Sequence, residues 1–430
     1  AVEQFRSDRR AARAAMLPRI QLTAGYTRIS DVENPPLFPP QSAETQGANA
    51  ADIGQLSDPA AQRLWNRDIE QASAESSASF PVIQDNWTIE QSLDWSLLDF
   101  VLSNRKRYRA AGLRLNAREL EEAAARRSVR FNATQAYYNL VVAKGRERIA
   151  AESVRRSEAV EKEVRALVLG GSTLRSELLR VESQTARFRG DLIEAEADRA
   201  SAARSLQTLL DLPESDDVAL RFALPELDSV APFESAWRTA QENREEIAAL
   251  QALAKASERE ADSLEFEQLP DLVLTGQNRR ARPNPRILPP VDEFRSDWSI
   301  GLALTWSPTG FLETRHRTAS ARAQEQRAEL AVESFRDTVR DRVAQTHARA
   351  RASLAVTASA KIELLSAREA YRVRRVQYPA GLTTLSDLID TEAELTEAQL
   401  RLLNATVRSI IDRAALYREI GRDYDFLQGV

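Results

Sequence analysis

The sequence predicts a mainly α-helical, internally duplicated chain with a small β part. Three observations predict it: two proline-free helical runs of about 70 residues each, short segments with an apolar period of two, and a strand-to-glycine-turn pattern that occurs twice. The chain has 430 residues, 29% of them charged, with a formal net charge of −5, so nothing in its balance suits nucleic acid. No cysteine is present, which excludes disulfides, thiolate metal sites and cysteine nucleophiles among these residues. His316 and His347 lack a second imidazole or a carboxylate at ligand spacing and read as solvated residues on helix surfaces. No nucleophile–base pair, phosphate-cradling glycine loop or metal set is legible, so neither an enzyme nor a cofactor is expected.

The duplication orders the elements. Trp87-Thr-Ile89-Glu-Gln-Ser-Leu93-Asp-Trp95, followed by Phe100, returns as Trp298-Ser-Ile300-Gly-Leu-Ala-Leu304-Thr-Trp306, followed by Phe311. Gly171-Ser-Thr173-Leu-Arg-Ser176-Glu177-Leu-Leu returns as Gly381-Leu-Thr383-Thr-Leu-Ser386-Asp387-Leu-Ile, and Leu17-Pro18 returns as Leu269-Pro270. The first repeat, 1–212, reads as a helix end, a strand at 17–28, a loop at 29–86, a strand at 87–97, a long helix at 100–169, a turn at 170–173 and a helix at 174–212. Residues 213–232, rich in proline and acids, are read as an inter-repeat segment of an equatorial belt. The second repeat, 233–421, reads as a helix at 233–268, a strand at 270–277, a loop at 278–297, a strand at 298–306, a long helix at 311–377, a turn at 378–383 and a helix at 384–421, before a tail at 422–430. The loop 29–86, with Asn34-Pro-Pro-Leu-Phe-Pro-Pro40 and a Ser/Ala/Gln/Asn stretch, is expected to be irregular. The first repeat lacks most of a helix that the second has, so the N-terminus reads as trimmed, and the missing piece would hold any signal peptide or lipidated cysteine.

The strands have one apolar face. Ile20, Leu22, Ala24 and Tyr26 alternate with polar or small residues, as do Trp87, Ile89, Leu93 and Trp95 (Gln91 interrupting), and Trp298, Ile300, Leu302, Leu304 and Trp306. The tryptophans of each pair stand eight residues apart. At about 3.3 Å per residue this is roughly 26 Å, close to the apolar band between the aromatic girdles of an outer-membrane barrel. Trp87, Trp95, Trp298 and Trp306 are therefore candidate girdle residues in contact with membrane lipid. Glu90 and Asp94 lie on the opposite face, which suits water. Four strands cannot close a barrel around a channel and open edges are intolerable in lipid, so several chains must contribute.

The helical runs carry a 3-4 stripe of apolar and small residues. In the first it comprises Leu113, Ala117, Leu120, Ala124, Phe131, Thr134, Tyr138 and Val141, with Arg127 breaking the series. After the glycine turn it resumes at Leu178, Val181, Thr185, Phe188, Leu192, Ala195, Ala202, Leu206 and Leu209. At about 1.5 Å per residue each run spans on the order of 100 Å, a length that suits a wall of helices curved into a tube.

This composite resembles the TolC-like outer-membrane factors, above all through Tyr378-Pro-Ala-Gly381-Leu-Thr-Thr-Leu-Ser-Asp387-Leu-Ile-Asp390. The resemblance covers nearly the whole chain. It implies a homotrimer whose twelve strands form one barrel in the bacterial outer membrane, continued by a twelve-helix α-barrel into the periplasm. It implies an exit duct of a tripartite efflux pump or type I secretion system, with a periplasmic adaptor and an inner-membrane transporter as partners. Carried over residue by residue, it places Gly170, Gly171 and Gly381 at the helix-turn tips, Asp387 and Asp390 at a periplasmic pore constriction, and Tyr378, Ser176 and Glu177 among the tethers that hold the tip shut. Mutual repulsion of six carboxylates in a trimer would raise some of their pKa values. Thr384 with Asp387 also fits a helix capping box, which leaves two readings of that aspartate. The family's arginine two residues after the second glycine is Thr383 here, and Arg175 is the candidate to replace it. A periplasmic coiled-coil adaptor or scaffold without a pore is the alternative, which the paired tryptophans disfavour.

Overall fold

A computed structural model describes residues 2–30, 52, 58–76, 82–213 and 229–423. In chain order the elements are α1 (Val2–Ala14), β1 (Arg19–Arg28), α2 (Pro59–Ser76), β2 (Asp85–Ser96), α3 (Arg105–Leu169), α4 (Arg175–Leu210), α5 (Phe233–Asn243), α6 (Glu245–Phe266), β3 (Asp271–Arg282), β4 (Arg295–Thr305), α7 (Pro308–Gln377) and α8 (Leu385–Glu419). A three-residue α segment (Leu97–Asp99) and a π-helical turn (Phe100–Asn104) lead from β2 into α3. The chain divides into two units, one of residues 7–111 and 259–322, the other of residues 1–6, 112–258 and 323–430.

The first unit holds an antiparallel sheet in the order β1-β2-β3-β4. Residues opposite each other across an antiparallel pair share a face. Ile20 opposite Leu93, Ala24 opposite Ile89, Tyr26 opposite Trp87, Trp95 opposite Leu274 and Leu302 opposite Leu274 therefore define one continuous apolar face. It is bare: Ile20, Leu22, Trp298, Ile300, Leu302 and Leu304 all stand well exposed. The other face carries Thr23, Glu90, Thr275, Gln277, Arg279 and Ser299.

Two strands run further than their apolar pattern. β3 continues to Arg282 and β4 starts at Arg295, against the expected 277 and 298, because Asn278–Ala281 and Arg295–Trp298 keep pairing after the apolar alternation stops. Within the loop expected to be irregular, Pro59–Ser76 is helical. Its start is chemically specified: the Asp58 carboxylate accepts the Ala60 N–H at 2.8 Å, and Pro59 occupies the first helical position, where no N–H is needed. The proline-rich stretch 34–40, most of 213–232 and the tail after Asp423 lie outside the described residues.

In the second unit the 3-4 stripe is the buried side of α3 and α4. Ala117, Ala124, Phe131, Tyr138 and Val141 are buried on α3, and Val181, Thr185, Phe188, Ala195 and Leu206 on α4. Arg127, which interrupts the stripe, forms an ion pair with Glu245. The core is a series of small clusters, such as Tyr138, Val141, Val407 and Ile410 between α3 and α8, or Ala117, Ala249 and Ala252 between α3 and α6. The buried residues of the second of these clusters are all alanine, whose small side chain lets helix backbones approach closely.

The helix expected at 233–268 is broken at Arg244, whose backbone is extended (φ −79°, ψ 114°). The break is tertiary in origin. Arg244 is buried, ion-paired with Glu419, and donates to the Glu419 carbonyl at 3.0 Å. Gly421 packs so tightly there that a Cβ would stand 2.6 Å from the Asn243 carbonyl oxygen. His347 also departs from expectation: it is buried, its Nε2 lies 2.8 Å from the Ala231 carbonyl, and its ring packs edge-on against Phe233. His316 is exposed as expected.

Candidate functional site

The helix turns come first, because both are built the same way. α3 ends with Gly171 at φ +72° and the Ser172 N–H bonded to the Leu167 carbonyl at 2.9 Å; α7 ends with Gly381 at φ +69° and the Leu382 N–H bonded to the Gln377 carbonyl at 3.1 Å. This is the Schellman ending, in which the left-handed residue after the helix is best filled by glycine. A Cβ at either glycine would meet open space, so backbone conformation alone asks for glycine there. Gly170 remains on the helical side of the first turn, its N–H bonded to the Ala166 carbonyl at 3.0 Å.

The helices that leave these turns start differently. α4 follows Leu174, which offers no side-chain cap. α8 follows Thr384, whose hydroxyl accepts the Asp387 N–H at 3.1 Å while the Asp387 carboxylate accepts the Thr384 N–H at 3.2 Å, a reciprocal capping box. The Thr383 hydroxyl donates to Asp387 at 3.0 Å and receives a hydrogen bond from Arg374 at 3.2 Å. Hydrogen bonds from Thr384 and Thr383, with Arg374 nearby, hold the Asp387 carboxyl below the usual aspartate value. Within one chain the capping reading of Asp387 thus holds. Asp390, one turn on, is exposed. The arginine that meets Thr383 within the chain is Arg374, a contact invisible to motif matching because Arg374 lies before the turn, in the last turn of α7.

Behind the turns, Val160, Val164, Val181, Leu385 and Leu388 form a buried cluster that joins α3, α4 and α8, with Tyr371 and Tyr378 packed against it. Burial and then the charges of Glu177 and Glu163 push the Tyr378 phenol upward, so two of the three expected tethers, Tyr378 and Glu177, are neighbours. Ser176 is exposed. Arg375 reaches from α7 to Glu163 on α3 at 2.6 Å. Deeper still, Glu392 on α8 is 2% exposed, with Arg156 of α3 at 3.5 Å. Burial pushes its carboxyl up to about 7 against the pull of Arg156 and Arg375. Sequence reasoning passed over Glu392, since it sits in a polar-rich helix with nothing to mark it as buried.

On the sheet, Trp87, Trp95 and Trp298 lie on the bare apolar face, and Trp306 follows directly on β4. Tyr26 and Trp87 are in contact with ring centroids 4.5 Å apart and planes tilted by 41°, and Trp95 packs edge-on against Phe100. Trp87 stands opposite Arg282 and Trp298 opposite Asn278, so the tryptophans of β2 and β4 are out of register by four residues. In a closed barrel the strands tilt by about 35–45°, so equal register is not equal height. On the polar face Glu90 is ion-paired with Arg279 at 3.3 Å and bonded to Gln277, rather than simply facing water.

Residues 237–422 match the family model of the outer membrane efflux protein. The fold of nearly the whole chain is that of known outer-membrane channels. The outer membrane protein VceC of Vibrio cholerae superposes with a TM-score of 0.74 at 17% identity, covering 99% of this chain and 92% of that one. The open state of the MtrE outer membrane channel of Neisseria gonorrhoeae gives 0.73 at 17% identity, with 98% and 84% covered, and the CmeC outer membrane channel of Campylobacter jejuni gives 0.70 at 16%, with 100% and 83% covered. No curated protein sequence matches the chain. The outer membrane efflux protein domain thus spans the second repeat, and the fold of nearly the whole chain is shared with those channels.

Proposed function

We propose that three copies of this chain close one twelve-stranded barrel and one twelve-helix tunnel, forming the passive exit duct of a tripartite efflux pump or type I secretion system. The observation that carries this reading is the sheet: one bare apolar face, one polar face, and two edge strands, β1 and β4, at the ends of its order. A sheet of this kind is stable in lipid only if its edges pair with further copies. Exposed apolar residues on the helices, including Leu179 and Ile193 on α4 and Val356, Ile362 and Leu365 on α7, supply a second surface for other copies to cover.

In that assembly Asp387 and Asp390 gather at the periplasmic constriction. Tyr378, Ser176 and Glu177, with Arg374 and Thr383, hold its turns, and a periplasmic adaptor coupled to an inner-membrane transporter engages and opens it. Trp87, Trp95, Trp298 and Trp306 mark the lipid boundaries. The glycine turns at Gly170, Gly171 and Gly381 form the moving tips.

The test is the native mass of the protein extracted in mild detergent, followed by conductance in planar bilayers. A particle of about three times the 48.1 kDa chain, whose cation preference falls in Asp387→Ala and Asp390→Ala, is expected. A monomer that stays in solution without detergent would sink the channel and favour a coiled-coil scaffold.

A further inference from the structure

The outer halves of β1–β4 and the β3–β4 turn are rich in arginine, and nearly every one has an acidic partner. Arg28 pairs with Asp85 at 3.7 Å, Arg279 with Glu90, Arg282 with Asp292 at 2.8 Å, Arg286 with Asp297 at 2.9 Å and Arg295 with Glu293 at 2.9 Å. Arg280 is the exception among the described residues: its only partner is the ring of Phe294, 5.7 Å from the guanidinium carbon. Its position makes that costly. Arg280 stands opposite Ile89 and Ser296, on the apolar face, one step outward from Asn278 and Trp298 and one step inward from Trp87 and Tyr26. It is exposed on an inner strand of the sheet, so pairing of further copies to the edges β1 and β4 leaves it uncovered.

A cation at girdle height on a lipid-facing wall is stable only if its head reaches the interface and finds an anion there. The side chain is long enough to do so, and a guanidinium is the group best shaped to clasp phosphate oxygens. We infer that Arg280, flanked by Tyr26, Trp87 and Trp298, is a binding site for the phosphate of an outer-leaflet lipid headgroup. The neighbouring acids Asp85 and Asp292, each held by its own arginine, are neutralised and leave the Arg280 charge to the lipid. This inference rests on the reading of the sheet as a membrane wall.

The full chain is placed in phosphatidylcholine nanodiscs doped with phosphatidic acid, re-extracted in mild detergent, and the lipids that remain bound are counted by native mass spectrometry. The wild type should retain phosphatidic acid in preference to phosphatidylcholine. Arg280→Gln should lower that retention about five-fold, in line with the attraction of one basic residue to an anionic lipid surface, and Arg280→Lys should recover part of it. Added inorganic phosphate should leave retention unchanged. Equal retention by wild type and Arg280→Gln would overturn the site, and displacement of the lipid by inorganic phosphate would show a free-anion site instead. A wild-type chain that never enters the discs would refute the membrane wall itself, which separates the two failures.

Discussion

Two glutamates on α8, both almost completely buried, are treated in opposite ways. Glu419 is 3% exposed and is held by Arg244 and, at 2.7 Å, by Arg418. Burial alone would raise its carboxyl, but these hydrogen bonds and charges bring it below the usual glutamate value. Glu392 is 2% exposed, its nearest guanidinium nitrogen lies 3.5 Å away, and its Oε1 has no hydrogen-bond partner among the described residues, so burial wins. The contrast teaches that the far end of α8 is locked around a satisfied ion pair, while the half nearer the turns buries a carboxylate whose partners do not satisfy it. Opening of the tip, as proposed above, would draw on such a less stable segment.

The sharpest way to break the locked end is Arg244→Ala. It leaves Glu419 buried with half its partners, and a loss of about 3–5 kcal/mol is expected, read from denaturant unfolding of the detergent-solubilised protein. Gly421→Ala attacks the same end through the backbone. Its φ of +72° and the Asn243 carbonyl 2.6 Å from a new Cβ leave no room to relax, so roughly 2–4 kcal/mol should be lost.

At the other end the comparison turns on pH. A carboxyl raised on folding binds more protons in the folded state, so Glu392 should cost stability as pH rises from the ordinary glutamate value through about 7, with the cost fully present above that. Glu419 has the opposite sign: its contribution is present above the unfolded value and lost as pH falls through its lowered one. Amide exchange in the first half of α8 should therefore be faster at pH 8 than at pH 5.5, by on the order of 2 kcal/mol of opening free energy. Glu392→Gln should flatten that slope without touching the second half of α8.

The turns themselves should yield the least. Gly381→Ala meets open space, so only the left-handed backbone is penalised, by about 1–2 kcal/mol. Thr384→Ala removes the capping box and should cost about 1 kcal/mol, seen as faster amide exchange in the first turn of α8. If either matched Gly421→Ala, the distinction between a locked end and a loosely held one would fail.

Periodicity carried much of the architecture. The period of two named the apolar face that the register confirms at Ile20, Ile89 and Trp298, and the 3-4 stripe named the residues that α3 and α4 bury. Asp58-Pro59 was a legible helix start overlooked inside a polar loop. Of the candidate site, the glycine turns and the capping box were readable because they are local: four to six residues decide them.

What sequence by itself determined is therefore what neighbouring residues impose on one another: helix, strand, turn, face and cap. Only the tertiary structure decided that Arg244 breaks a helix to reach Glu419, that His347 turns inward to the Ala231 carbonyl, that Arg374 serves Thr383, and that Glu392 is buried beside a distant arginine while Arg280 meets no acid among the described residues. Each of these depends on what a side chain meets across the fold. Coulomb and desolvation energies are set by that distance and burial, and neither is fixed by the residue's own stretch of chain.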